Sequence, residues 1–141
     1  ENRNELETKI TDIDGGKVGD AAQTTFGLGA KYKILPNLSI DADYRYFQDL
    51  YSSRQEKENL MLPSYQLVDA GVSYRLNLTN KNAISFRVNV NNVFDAEYIS
   101  QSSTANKVSE KTVSTYKGLD TSNQVLFGYG RTWNASVKFT F

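Results

Sequence analysis

Apolar and polar residues alternate with a period of two along five long stretches of this chain, the signature of strands and not of helices. From about Thr24 to Ile34, the residues Phe26, Leu28, Ala30, Tyr32 and Ile34 share one side, and Thr25, Gly27, Gly29, Lys31 and Lys33 share the other. Leu38, Ile40, Ala42, Tyr44 and Tyr46 are likewise set against Ser39, Asp41, Asp43 and Arg45. Val68, Ala70, Val72, Tyr74 and Leu76 stand against Asp69, Gly71, Ser73, Arg75 and Asn77. Ile84, Phe86, Val88 and Val90 stand against Ser85, Arg87, Asn89 and Asn91. In the last stretch Trp133, Ala135, Val137, Phe139 and Phe141 oppose Thr132, Asn134, Ser136, Lys138 and Thr140. The expected strands therefore run about 24–34, 38–47, 66–78, 84–92 and 131–141, with long connections at 1–21, 48–65 and 93–130.

Charge obeys the same alternation. Lys31, Lys33, Asp41, Asp43, Arg45, Asp69, Arg75, Arg87 and Lys138 all fall on the polar side, and the other side carries no charge between Phe26 and Phe139. Short connections rich in turn formers, Leu35-Pro36-Asn37 and about 79–82, alternate with long polar ones. An antiparallel meander built this way places the short turns at one end and the long loops at the other. Pairing about Pro36 is expected to set Lys31 and Lys33 across from Asp41 and Asp43, each opposite-charge neighbour contributing ~0.2–1 kcal/mol.

Two architectures fit such a sheet. A soluble β-sandwich turns its apolar face inward, whereas a membrane barrel turns it out to lipid and lines a wet interior with the polar face. Stretches of about ten residues match the ~9–11 needed to cross a bilayer better than the ~5–6 of an ordinary globular strand. The aromatic residues Phe26, Tyr32, Tyr44, Tyr46, Tyr74, Phe86 and Trp133 tend to flank small or aliphatic ones, as in interfacial girdles. Alternating short turns and long loops point the same way. The expected fold class is all-β: an antiparallel meander of about five strands from a transmembrane β-barrel, too few to close one, since barrels start at about 8 strands.

Composition removes other classes. Among 141 residues there is no Cys and no His, so disulfides, thiolate chemistry and the commonest metal ligand and general base are absent. Sixteen basic residues balance sixteen acidic ones, leaving no net field to attract nucleic acid. No apolar run approaches the ~20 residues of a transmembrane helix, and the first residues, ENRNELETKI, lack a signal-peptide pattern. No cofactor is implied.

The stretches VGDAAQTTFGLGAKYKILPNLSIDADYRYFQDLY (18–51), LPSYQLVDAGVSYRL (62–76), VNVNNVFDAEYIS (88–100) and YGRTWNASVKFTF (129–141) resemble the C-terminal barrel strands of TonB-dependent outer-membrane receptors of Gram-negative bacteria. NVNNVFDAEYI, entering the last long loop ahead of a final strand ending in Phe, is the most specific part. The resemblance implies a 22-stranded barrel in the outer membrane, filled by an N-terminal plug. It also implies active import of a scarce nutrient, such as a metal–siderophore complex, cobalamin or a glycan, driven by TonB. Implied partners are outer-membrane lipid, the rest of the barrel and its plug, TonB acting through that plug, the barrel assembly machinery and a small-molecule or glycan ligand. Phe141, with Phe139 and Val137, would be the signal read by that machinery. Neither a plug nor a TonB-contacting segment is found in these stretches, so the chain is expected to be the C-terminal part of a longer one. A passive outer-membrane channel or other small barrel, and a soluble β-sandwich binding module, remain the alternatives.

Within a barrel, Lys31, Lys33, Asp41, Asp43, Arg45, Asp69, Arg75, Arg87, Asn89, Asn91 and Lys138 are expected to face the lumen. Asn89 and Asn91 serve equally as lumen hydrogen-bonding groups or as a structural ladder. Tyr98, Tyr116, Phe127 and Tyr129, in the last long connection, are candidates for stacking on a ligand, although loop packing explains them as well. Asp41 and Asp43 lie about 7 Å apart on one strand face, a spacing open to acid–base catalysis, but neutralisation by lysines accounts for them without it. DIDGG at 12–16 lacks the ligand spacing of a calcium loop and reads as a plain loop. GLG at 27–29 lies inside a strand, where glycine permits close approach or bending. The sequons at Asn37, Asn77 and Asn134 are chance in a bacterial barrel.

Overall fold

The computed structural model describes residues 17–52, 59–79 and 81–141. The DIDGG stretch, the connection before residue 17 and residues 53–58 of the second long connection lie outside the described residues. Every regular element described is a strand. In chain order these are β1 (Thr24–Leu35), β2 (Leu38–Gln48), β3 (Leu50–Tyr51), β4 (Met61–Leu62), β5 (Tyr65–Asn77), β6 (Ala83–Asn91), β7 (Ile99–Ser102), β8 (Thr115–Tyr116), β9 (Leu119–Asp120), β10 (Val125–Phe127) and β11 (Thr132–Thr140). The five long strands form one antiparallel sheet in the order β1-β2-β5-β6-β11, an up-and-down meander that stays open at both edges.

Register then builds two unlike faces. On the uncharged face Leu28, Tyr44 and Val68 stand in one row, Ala30, Ala42, Ala70, Val90 and Trp133 in the next, and Tyr32, Ile40, Val72, Val88 and Ala135 in a third. Among the described residues no second layer covers these side chains: Leu28 is 66% exposed, Tyr32 68% and Trp133 73%. Aromatic rows bracket the aliphatic centre, with Phe26, Tyr44, Tyr46 and Trp133 toward the long connections and Tyr74, Phe86 and Phe139 toward the short turns. From Leu38 to Tyr46 the strand rises about 26 Å, close to the height of an outer-membrane apolar band. Tyr44 and Tyr46 donate their hydroxyls to Gln66 and Gln48, as amphipathic rings do where an apolar zone meets water.

The polar face holds the main correction to the expected pairing. Lys31 does lie opposite Asp41, but Lys33 faces Ser39, and Asp43 faces Gly29 on one side and Asp69 on the other. In an antiparallel pair the partner's number falls as the residue's number rises, so with Lys31 opposite Asp41 the lysine two residues nearer the turn meets Ser39 and Asp43 meets Gly29. Among the described residues the ion pairs of this face are made by arginines and skip the lysines. Arg87 reaches past β5 to grip both carboxylate oxygens of Asp41, at 3.0 and 2.9 Å, and also donates to Ser73 at 2.8 Å. Arg45 pairs with Asp69. Gly71 lies between Asp41 and Arg87, and a Cβ there would come within 2.8 Å of the guanidinium and 3.1 Å of Asn89 Oδ1, so only glycine leaves the fork room to cross. Asp43 folds over Gly29 in the same way. Asp41 is thereby held in a bidentate, charge-assisted grip.

The long connections are not featureless. β3 pairs with β4, β7 with β10, and β8 with β9, and the buried cluster Leu50, Leu62, Ile99 and Leu119 sits among these small hairpins, with Leu60, Tyr65, Tyr116 and Val125 packed on it. Sequence alternation missed them because two- to four-residue strands carry too few residues to show a period. β11 ends at Thr140, so Phe141 stands beyond the last ladder pair, its ring stacked on Phe139 at 5.9 Å.

Valine at position 71 is expected to part Arg87 from Asp41 and destabilise the intact protein by ~1–3 kcal/mol. Valine at Gly27, where a Cβ meets only Tyr44 O at 3.8 Å, should be neutral or stabilising. Urea midpoints of the detergent-folded variants make the comparison, and equal midpoints would refute the clearance argument.

Candidate functional site

At its loop end the polar face stops being polar. Phe47, Tyr65 and Leu67 occupy the same side as Arg45 and Asp69, because β2 and β5 keep strict alternation to their ends. Tyr65 stacks on Phe47 at 4.8 Å and on Tyr98 at 4.2 Å, and the Tyr98 ring lies so close to Gly128 that a Cβ there would collide with it. The column Phe47–Tyr65–Tyr98–Gly128 thus ties the sheet to the last connection. Phe47 and Tyr65 were outside the sequence-derived candidates, although their odd-numbered phase with Arg45 and Asp69 placed them on this face.

Beside this column lies a depression of about 440 Å³ lined by Arg45, Leu67, Asp69, Asn91, Asn92, Tyr98, Tyr129, Gly130 and Thr132. Its floor is the Arg45–Asp69 pair, and Tyr98 and Tyr129 form aromatic walls, Tyr129 being 88% exposed. The chemistry offered is a flat aromatic contact beside a fixed ion pair and several amides. Of the four aromatic candidates the structure brings together Tyr98 and Tyr129. Tyr116 and Phe127 meet each other instead, edge to face at 5.8 Å, and Lys117 lies over the Tyr116 ring at 5.4 Å.

The NVFDAEY stretch explains how Tyr129 is placed. Asn92 and Asp95 both adopt positive φ, 51° and 53°, which Asn and Asp tolerate better than most residues. Asn92 is only 4% exposed. Its amide accepts from Ala96 N at 2.8 Å and donates to Ala96 O at 2.9 Å and Tyr129 O at 3.3 Å, while its backbone N–H donates to Asp69 at 2.9 Å. Asp95 accepts from Arg131 N at 2.7 Å. One turn thereby ends β6, crosses to the start of β11 and anchors the floor carboxylate. Asn92 and Asp95 were not among the expected site residues; an Asn-x-x-Asp spacing directly after a strand was the available signal.

Further along the wall Asn89 donates to Asn134 at 2.8 Å and Asn91 to Thr132 at 3.2 Å, so these amides form a cross-strand ladder between β6 and β11. Outside the five long strands, the Tyr116 hydroxyl bonds to Glu97, and that contact, ahead of the smaller effects of burial and the Glu97 charge, raises the phenol above its ordinary value. Asp120 is held below the ordinary carboxylate value by the Thr112 hydroxyl first and then by Ser122.

Asn92→Ala is expected to cost ~2–4 kcal/mol, from lost buried hydrogen bonds plus a left-handed backbone that alanine disfavours, with Asn92→Gly losing only the first part. Thermal unfolding of both variants in the folded protein reads the difference, and an Ala variant no worse than Gly would sink the backbone argument. Because the folded-state value of Asp120 is depressed, the order it contributes to 109–123 is present above the ordinary aspartate range and lost as pH falls through the folded value. Asp120→Asn should show at neutral pH the proteolytic nicking that the native loop shows only in acid, and an Asn variant as resistant as the native chain would contradict this.

Comparison with known proteins places this geometry. The family described as "TonB dependent receptor-like, beta-barrel" matches residues 2–93, about two thirds of the chain. The ferrioxamine B receptor of Salmonella typhimurium, in two strains, is 36% identical over 69 residues, covering 49% of this chain and 10% of the relative. The chain thus spans about a tenth of the curated relatives it matches. The open-form crystal structure of the ferric-catecholate import receptor Fiu from E. coli K12 superposes with a TM-score of 0.54 at 19% identity, over 82% of this chain and 15% of that one, a likeness of fold. With the family model matched over about two thirds of its length, this chain belongs to the TonB-dependent receptor-like β-barrel family.

Proposed function

We propose that this chain forms part of the wall of an outer-membrane receptor that imports a ferric chelate across the membrane of a Gram-negative bacterium, with energy delivered by TonB through a plug elsewhere in the receptor. The observation that carries the reading is the sheet's two-sidedness: an uncharged face, banded by aromatic rows and left exposed by the described residues, backs a face of ion pairs, amides and serines. An exposed apolar surface of this extent marks a contact with lipid or protein.

On this reading Phe26, Tyr32, Tyr44, Tyr46, Tyr74, Phe86 and Trp133 face lipid, and the charged and amide residues of the other face line the lumen. Tyr98 and Tyr129 meet the ligand at the extracellular end, while Tyr116 and Phe127 brace the loops. Val137, Phe139 and Phe141 serve as the assembly signal, consistent with their outward exposure of 53% or more. Ferric chelates are the class to test first because the printed names of the relatives, a ferrioxamine B receptor and a ferric-catecholate import receptor, are of that class.

Uptake of radiolabelled ferric hydroxamates and ferric catecholates by iron-starved cells carrying the full receptor is the direct measurement. Uptake should require both the receptor and TonB, and Tyr129→Ala should raise the half-saturating concentration several-fold, since an aromatic contact is worth about 1 kcal/mol. Equal uptake in cells lacking TonB would replace this reading with that of a passive channel.

A further inference from the structure

Tyr98 stands just before β7 and Tyr129 just beyond the end of β10, so the pairing of these two short strands decides what meets the Tyr98 ring. Val125 faces Ser102 and Leu126 faces Gln101, but the register then slips by one residue and Phe127 faces Ile99. Ser100 is the residue skipped, and its hydroxyl donates to Leu126 O at 3.0 Å across the slip. Gly128 therefore comes opposite Tyr98, to whose carbonyl its N–H donates at 2.9 Å. A ladder without the slip would set Tyr98 opposite Tyr129. Residues directly opposite have Cβ atoms ~4.5–5.5 Å apart, near enough for two rings to pack on each other.

The slip thus puts the one residue without a side chain beneath Tyr98. The outer end of the ring, its Cζ, Cε2 and hydroxyl, occupies the space a Cβ of residue 128 would take. Glycine is needed there for room and not for conformation, since its φ lies outside the positive range that Gly118 adopts. The ring is not free to give way, because Tyr65 stacks on it and Phe47 stacks on Tyr65 in turn. Tyr129 is left largely exposed, with its carbonyl held by Asn92, and both tyrosines line the same depression. Bulges beside binding sites serve to re-aim side chains in this way.

We propose that Gly128, carried opposite Tyr98 by the slip at Ser100, is a positioning residue of the ligand site: it seats the Tyr98 ring and keeps it off Tyr129, so that a ferric chelate meets two separate aromatic walls. This rests on the reading that Tyr98 and Tyr129 meet the ligand.

The test is uptake of labelled ferrioxamine B and of the ferric tris-catecholate complex, over a range of concentrations, by TonB-competent cells carrying the full receptor, with surface receptor counted in each strain. Gly128→Ala should raise the half-saturating concentration roughly three- to tenfold, while the maximal rate per surface receptor stays within about twofold. In a Tyr98→Ala background, where no ring needs seating, Gly128→Ala should add nothing. Thermal unfolding of the ligand-free, detergent-folded receptor should repeat the pattern, with Gly128→Ala lowering the midpoint only when Tyr98 is present. If Gly128→Ala alone fails to fold, adding Tyr98→Ala should restore folding. An unchanged half-saturating concentration in folded Gly128→Ala, effects of the two substitutions that simply add, or no restoration would each overturn the proposal while leaving native uptake intact. Import of neither chelate by the native receptor is the separate failure of the ligand reading, and it removes the ligand role of Gly128 as well.

Discussion

Everything in this sheet hangs on register. The side-chain period of a strand is two, so sliding any long strand by one residue would move its charges onto the face that now carries none. Among the described residues no layer lies over that face, and a lysine or arginine turned toward a bilayer's midplane costs ~2–4 kcal/mol. Errors of pairing are therefore penalised strand by strand. The tight Pro36 turn and the 79–82 turn, where Leu78 N donates to Asn82 O, hold neighbouring strands in phase.

With register set, the glycines of the polar face acquire a purpose. Gly71 lets the Arg87 fork cross β5 to Asp41, and Gly29 gives space to the Asp43 carboxylate. A long cation can then lie flat along the wall and satisfy an acid two strands away, stitching β2, β5 and β6 by side chains as well as by ladder bonds. The buried apolar cluster, by contrast, lies among the hairpins at one end, where Leu50, Leu62, Ile99 and Leu119 pack together. This is the reverse of a soluble sandwich, whose largest buried residues sit between sheets.

Much of the fold was legible in the chain because long alternating strands repeat one simple signal. Phe26, Ile40, Val72, Val88 and Val137 each announce their face through their neighbours. The loop-end site was less legible. Tyr98 and Tyr129 stood out as aromatics in a polar connection, yet nothing local distinguished them from Tyr116 and Phe127, which pair with each other. Asn92 and Asp95 belong to the most specific stretch of the sequence, but their left-handed turn and its grip on Tyr129 and Arg131 join residues more than thirty positions apart.

Alternation by itself determined which residues share a face, that one face is free of charge, and that the strands are long enough to cross a bilayer, because these depend only on the two-residue repeat of an extended backbone. Which residues become neighbours across that face was decided by the tertiary structure. The pairing of Arg87 with Asp41 in place of Lys33 with Asp43 and the stacking of Tyr98 on Tyr65 both follow from strand order, register and loop path. Those contacts span separations in the chain over which no periodicity carries information.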